Sequence, residues 1–167
     1  MAADDLYASA EALLQACITL LGASAPGTAF VSPGEPIYDC CPMLAVHVGS
    51  VVEAGTSPGG ALDSGHRTRF SRVNVVSLVV SIVRCDVEVA SQTLPNVAAK
   101  QGVAMQTYAD GWTLWNGLYR MLADGVLFRN CSERFLDDAV PIDSSGGCVG
   151  FRIGLRVSLP GYDPTVS

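Results

Sequence analysis

RVNVVSLVVSIVRCDVEV, residues 72–89, is the stretch whose reading decides the fold. Read with a two-residue period, Val73, Val75, Val79 and Val83 fall on one side and Val76, Leu78, Val80 and Ile82 on the other. Successive strand side chains point to opposite faces, so this is a long strand with apolar residues on both. Such a strand has to be covered on both sides. In a small domain one cover is supplied by its own helices, and the other is expected to be a neighbouring subunit. Val76, Leu78 and Val80 are therefore candidate interface residues.

Upstream, Leu44, Val46 and Val48 alternate with Met43, Ala45 and His47, which predicts a partner strand over 38–52 with Pro42 near its start. Residues 53–70 between the two are rich in Gly, Ser, Thr and Pro, too long for a tight turn, and predict a projecting loop at a hairpin tip. Arg67 and Arg69 near its end are candidate contacts to a partner. Before the hairpin, Leu6, Ala10, Leu13, Leu14, Cys17, Leu20 and Leu21 form one helical stripe over about 4–21. Gly22 ends it, and Pro26, Gly27, Pro33, Gly34 and Pro36 read as an extended loop before the first strand.

Downstream, Pro95 suits a helix start, and Met105, Tyr108, Trp112, Trp115, Tyr119 and Leu122 recur at steps of three and four to a stop near Gly125. This aromatic stripe reads as interior packing, since no basic residues interleave it as a base-stacking platform requires. Residues 134–142, a turn at 143–147 and residues 149–159 form a last hairpin. Its second strand alternates Val149, Phe151, Ile153, Leu155, Val157 and Leu159 with Gly150, Arg152, Gly154, Arg156 and Ser158. Arg152 and Arg156 share the outward face, where Gly150 and Gly154 leave room for another backbone, and are candidate interface residues. The expectation is an α+β fold: a single domain over 1–167, with a four-stranded, mainly antiparallel sheet and two helices packed on one face.

Composition narrows the function classes. Hydrophobic residues make up 49% and charged residues 16%, against roughly 25% charged in ordinary soluble domains. Little charge covers the surface, which favours a protein partner. The formal charge is −6, from 10 Lys+Arg against 16 Asp+Glu, with no basic cluster, which disfavours a grip on nucleic acid phosphates. No uninterrupted apolar run approaches the roughly 18 residues of a membrane span, so no membrane partner is expected. The N-terminal Met-Ala-Ala-Asp-Asp lacks the basic start of a secretory leader, so synthesis in the cytoplasm is expected.

No catalytic constellation stands out, and the chain is not expected to be an enzyme or to carry a cofactor. His47 and His66 are the candidate bases, one on a strand among core positions and one in the long loop. Ser57-Pro58-Gly59-Gly60 lacks the Gly-Lys-Ser/Thr that makes a phosphate cradle. Asp137 and Asp138 are strand neighbours that point apart, so they do not converge on a cation.

Cysteine is the informative residue type. Cys40 and Cys41 start the first strand of the hairpin, and Cys85 ends the second; antiparallel pairing about a tip near residue 62 brings residue 41 opposite 83–85. Cys148 opens the last strand and Cys131 follows the second helix, and both are expected at the same sheet edge. Disulfides from Cys40 and Cys41 to two of Cys85, Cys131 and Cys148 are the expectation, with Cys41–Cys85 the preferred first bridge. Zinc is the rival role for these sulfurs, although the chain lacks Cys-x2–4-Cys knuckles, and buried reduced thiols are the third. Cys17 on the helix stripe reads as a buried thiol.

Four segments together carry a resemblance: Tyr38-Asp39-Cys40-Cys41-Pro42-Met43-Leu44-Ala45-Val46, Ile82-Val83-Arg84-Cys85, Gly146-Gly147-Cys148-Val149-Gly150, and the amphipathic final strand. They resemble the neck and tail proteins of actinobacteria-infecting tailed phages, particularly tail terminators. Phe151-Arg152 stands where that pattern often has a second Gly and Glu-Trp. The resemblance implies a small tail-terminator-like fold that forms a hexameric homo-oligomeric ring at the head-proximal end of the tail tube, a structural virion protein. It further implies contacts to the tail tube protein and to a head connector or stopper, and a lumen through which DNA passes without specific binding. A head-to-tail connector or stopper ring is the alternative within the same class, and a small metal-binding protein the alternative outside it.

Overall fold

The computed structural model describes residues 3–38, 42–53, 73–87, 96–145 and 147–160. The elements are α1 (Ala3–Leu21), a single 3-10 turn (Gly22–Ser24), β1 (Thr28–Ser32), β2 (Met43–Glu53), β3 (Val73–Cys85), α2 (Val97–Ala123), β4 (Arg134–Ser145) and β5 (Cys148–Pro160).

The sheet has five strands in the order β1-β2-β3-β5-β4 and is mixed, which corrects the expected four-stranded, mainly antiparallel sheet. The difference lies in Thr28–Ser32. These five residues pair in parallel with β2, Thr28 against Met43 through Ser32 against His47. Bounded by Pro26-Gly27 and Pro33-Gly34, they look like part of a loop, because a parallel edge strand is made by its neighbour and not by its own pattern. The other pairings are antiparallel, with Met43 opposite Val83 and Leu78 opposite Leu155. β2 carries a bulge at Gly49, where a Cβ would lie 3.1 Å from the Val79 side chain.

Both helices lie on one face of the sheet, which receives Leu44 and Val46 from β2, Val76, Leu78, Val80 and Ile82 from β3, and Ile153, Leu155 and Val157 from β5. Ala10, Leu13, Leu14, Cys17 and Leu21 of α1 and Leu114, Leu118 and Leu122 of α2 fill it from above. By length and composition alone α1 is apolar enough to cross a membrane. In the fold its apolar stripe faces the sheet.

Two glycines set how closely the layers approach. A Cβ at Gly111 would lie 2.7 Å from the Phe151 ring, so α2 rests on β5 there; one at Gly117 would run into the Leu20 side chain of α1. Asn96 caps α2, its side-chain oxygen accepting from the amides of Ala98 and Ala99 at 3.1 and 3.3 Å. Gly125, at φ 67°, closes its C-terminus in the left-handed conformation.

The layers are knotted by an ion pair between a partly buried arginine and a buried aspartate. Arg84 of β3 donates from Nε to Asp110 of α2 at 2.8 Å and from Nη2 to the carbonyl of Ser24. Asp110 also accepts from Ser24 Oγ at 3.1 Å and from Gln106 Nε2 at 2.9 Å. One carboxylate thus joins the end of α1, the centre of the sheet and α2, with its hydrogen-bonding capacity filled.

The second face of the sheet is covered at one end by the chain itself. Met43, Ala45, Val83 and Cys148 are buried there under Phe30, Tyr38 and Ile142. Residues 33–38 are held down by the Glu35–Arg152 ion pair, and the Tyr38 hydroxyl lies 3.3 Å from Ser81 Oγ.

Candidate interaction surface

α2 carries two stripes at helical spacing, one residue apart and therefore about 100° apart around the axis. One consists of Thr107, Asp110, Gly111, Leu114, Leu118 and Leu122, and this one is buried. The other consists of Met105, Tyr108, Trp112, Trp115 and Tyr119. Met105, Tyr108, Trp112 and Tyr119 are 74%, 65%, 69% and 62% exposed, and Trp115 alone is half-buried against the core. The expectation that the aromatic stripe is interior packing is thereby corrected. The reason is steric: Gly111 must meet the Phe151 ring for the helix to seat on β5, and that contact turns the smaller stripe inward.

Beside this stripe runs β4, one of the two edge strands of the sheet. Between α2 and the β4–β5 pair lies a groove of three contiguous clefts. The first, about 350 Å³, is bounded by Lys100, Tyr108, Ile142 and Phe151. The second, about 190 Å³, lies among Tyr108, Trp112, Trp115, Ala139 and Phe151. The third, about 360 Å³, lies among Trp115, Tyr119, Arg134 and Phe135. Tyr108 and Phe151 are shared by the first two, meeting edge-to-face at 5.7 Å, and Trp115 is shared by the last two. From Lys100 to Ala123 the groove runs about 35 Å at the helical rise of 1.5 Å per residue.

Its charged groups sit at the ends and are engaged. Lys100 Nζ pairs with Asp86 at 3.3 Å. Arg134 donates to the carbonyls of Leu122, Phe128 and Arg129, where its charge meets the negative end of the α2 dipole. The middle of the groove is aromatic and uncharged. By elementary chemistry such a surface can bury apolar or aromatic side chains, with Tyr and Trp as anchors.

The interface candidates fall elsewhere. Val76, Leu78 and Val80 are fully buried beneath the helices, so of the two apolar faces of β3 it is the other one, with half-buried Val75 and Val79, that a neighbour can reach. Arg152 and Arg156 do lie on the outward face, but both are engaged within the chain. Arg152 pairs with Glu35 and donates to the Tyr38 hydroxyl at 3.4 Å; Arg156 pairs with Asp137 at 2.6 Å and lies 5.9 Å over the Phe135 ring. The hydrogen bond from Arg152 to Tyr38 and the Glu35 carboxylate hold its guanidinium charged, raising its pKa against the effect of burial. Nor is there room for a foreign backbone at the flanking glycines. A Cβ at Gly154 would lie 2.8 Å from Asp138, and one at Gly150 would strike the backbone of Ile82. Arg67, Arg69 and His66 lie outside the described residues.

The cysteines correct a second expectation. Among the described residues there is no disulfide: Cys17, Cys85, Cys131 and Cys148 are all thiols. Cys85 and Cys148 are cross-strand partners at one end of the sheet, as expected of that edge, yet Cys148 is buried and donates to the Tyr38 carbonyl at 3.3 Å while Cys85 is exposed. Cys131 precedes Arg134, which pairs with Val157, so it lies near the opposite end of the sheet, about 30 Å along β5 from Cys148 at the strand rise. Cys17 is wholly buried, which pushes its thiol up to about 12 and makes it inert. Cys40 and Cys41 lie outside the described residues.

Among the described residues no three His, Cys, Asp or Glu side chains come together as a metal site. His47 is buried on the second sheet face with Nδ1 unpartnered, and burial lowers its pKa, Glu35 and Arg152 acting in opposite senses.

The chain matches no protein-family model and no curated protein.

Proposed function

We propose that this chain is a structural subunit of a phage particle that assembles with copies of itself into a ring at the head-proximal end of the tail tube, ending tube growth and joining the tail to the head connector. The observation that carries the assembly role is the exposed aromatic stripe of α2. An aromatic side chain contributes about 200 Å² when buried, so at two-thirds exposure Tyr108, Trp112 and Tyr119 together present roughly 400 Å² of surface. That is the size of patch that marks an interaction site on a monomer, and half of the about 800 Å² one partner contributes to a standard interface. The place of the ring in a particle rests on the sequence resemblance to tail terminators.

The uncharged middle of the groove suits a protein neighbour, and the acidic balance of the chain suits a wall past which DNA slides. Engaged arginines on the outward sheet face keep that face from gripping phosphate. The proposed role is tested by imaging particles that carry a labelled subunit, together with the native mass of the detached ring. Six copies at the head-proximal end of the tail are expected. Absence from the particle, or one isolated copy within it, refutes the proposal; a ring on the head side of the joint makes the chain a connector or stopper instead.

A further inference from the structure

The two edges of the sheet are built differently. β4 is guarded in the ways that keep edges from pairing with other chains: a bulge between Leu136 and Ala139, the carboxylates of Asp137 and Asp138 at that bulge, and Pro141, which has no N–H to offer. β1 has none of these. Its register against β2 is unbroken, no charged residue occurs from Gly22 to Gly34, and no proline falls within the strand. Thr28 is exposed and the four residues after it are half-buried. An unguarded, neutral edge is a template for another strand.

Its sequence is complementary to itself. Turned about a two-fold axis through Phe30, the segment Pro26-Gly27-Thr28-Ala29-Phe30-Val31-Ser32-Pro33-Gly34 places Thr28 opposite Ser32, Ala29 opposite Val31 and Phe30 opposite its own copy. The turn residues Pro-Gly fall opposite each other at both ends and bound the pairing to five residues. A two-fold perpendicular to the sheet makes the strands antiparallel and keeps each face on its own side. Ala29 and Val31, which pack toward the helix-side core, then continue that core across the axis. Phe30, which packs against Met43, Ala45 and Val83, meets its copy on the second face. Small hydroxyls of Thr28 and Ser32 pair at the two flanks, a combination favoured in cross-strand positions.

We propose that the subunit free in solution is a two-fold dimer joined through β1, giving a continuous ten-stranded sheet with Phe30 on the axis. The occupant of the edge is a second copy of this chain. The dimer covers the one edge that lacks its own guards and leaves the α2–β4 groove open on both outer flanks, so it stands independently of the ring.

The test is a pair of double variants, measured by sedimentation with the wild type over a concentration series. Wild type is expected as a dimer that dissociates on dilution. T28K/S32K places like charges opposite each other at both flanks and is expected to be monomeric. T28K/S32E places opposite charges there and is expected to recover the dimer, which also shows that the substitution at Thr28 is compatible with folding. Hydrogen exchange of the Ala29–Val31 amides in wild type should slow as the dimer forms. A wild-type mass of one chain at all concentrations, a dimer indifferent to T28K/S32K, or a folded T28K/S32E that stays monomeric each overturns the proposal. Unchanged exchange at 29–31 in a dimeric wild type does the same, since the contact then lies elsewhere.

Discussion

Truncating the two stripes of α2 should have opposite consequences. Leu114 and Leu118 are fully buried between the helix layer and the sheet. Replacing either by alanine removes three carbons from a filled core and should cost about 2–5 kcal/mol. For a chain of this length each kcal/mol lowers the melting temperature by about 2–4 °C, so Leu118→Ala should melt roughly 4–20 °C lower than wild type. Trp112 has the larger side chain but is 69% exposed. Trp112→Ala removes little buried area and places a better helix former in the helix, so stability should change by about 0.5 kcal/mol or less. Differential scanning calorimetry of Leu114→Ala, Leu118→Ala, Trp112→Ala and Tyr119→Ala decides between the stripes. If Trp112→Ala and Tyr119→Ala melt far below wild type while the leucine variants do not, α2 is turned the other way and its aromatic stripe is core, with no interaction surface left on the helix.

Three further outcomes follow from individual contacts. Asp110→Ala leaves Arg84 partly buried without its carboxylate and should destabilise by about 3–5 kcal/mol, read as a lowered midpoint in urea, whereas Arg84→Met with Asp110→Leu should recover much of the loss. His47 is held neutral by burial, so the unfolded chain takes up a proton at higher pH than the folded one. Its share of stability is complete above its ordinary pKa of about 6.5 and is lost as the pH falls toward the lowered folded value. A stability–pH profile in wild type and His47→Gln should therefore diverge only below about pH 6.5. Cys17 is wholly buried with its thiol pushed up to about 12, so it should resist alkylation in the native protein and react once the chain is unfolded, as read by mass spectrometry; equal labelling in both states would mean that the α1 stripe is open to solvent.

The long strand at 72–89 and the alternation at 149–159 were legible because period-2 patterning with β-branched residues arises from little besides a strand. Chain order paired each with its hairpin partner, 38–52 and 134–142, but left no trace of the β3–β5 pairing that joins the two hairpins. The helix stripe of α1 was legible for the same reason: its apolar residues form one face and no competing one. α2 offered two faces of equal periodicity, and the larger side chains drew the reading; only the Gly111–Phe151 contact, a tertiary fact, breaks the tie. β1 was hidden because five residues between Pro-Gly pairs carry a loop signature, and a parallel partner ten residues downstream leaves no local trace. The cysteines illustrate a further limit. Register brings Cys85 opposite Cys148, but whether two opposed sulfurs bond depends on rotamers and cover, and Tyr38 draws the Cys148 sulfur to its carbonyl. The outward arginines were placed on the correct face, while their partners Glu35 and Asp137 came from segments whose position no spacing rule gives.

The proposal that the α2 stripe meets neighbouring subunits in a phage particle is tested most directly by hydroxyl-radical footprinting of Tyr108, Trp112 and Tyr119 in the free protein and in intact particles. Rapid oxidation of all three is expected in the free subunit, as their exposure requires, and strong protection in the particle. Equal oxidation of the three side chains in both states would contradict it.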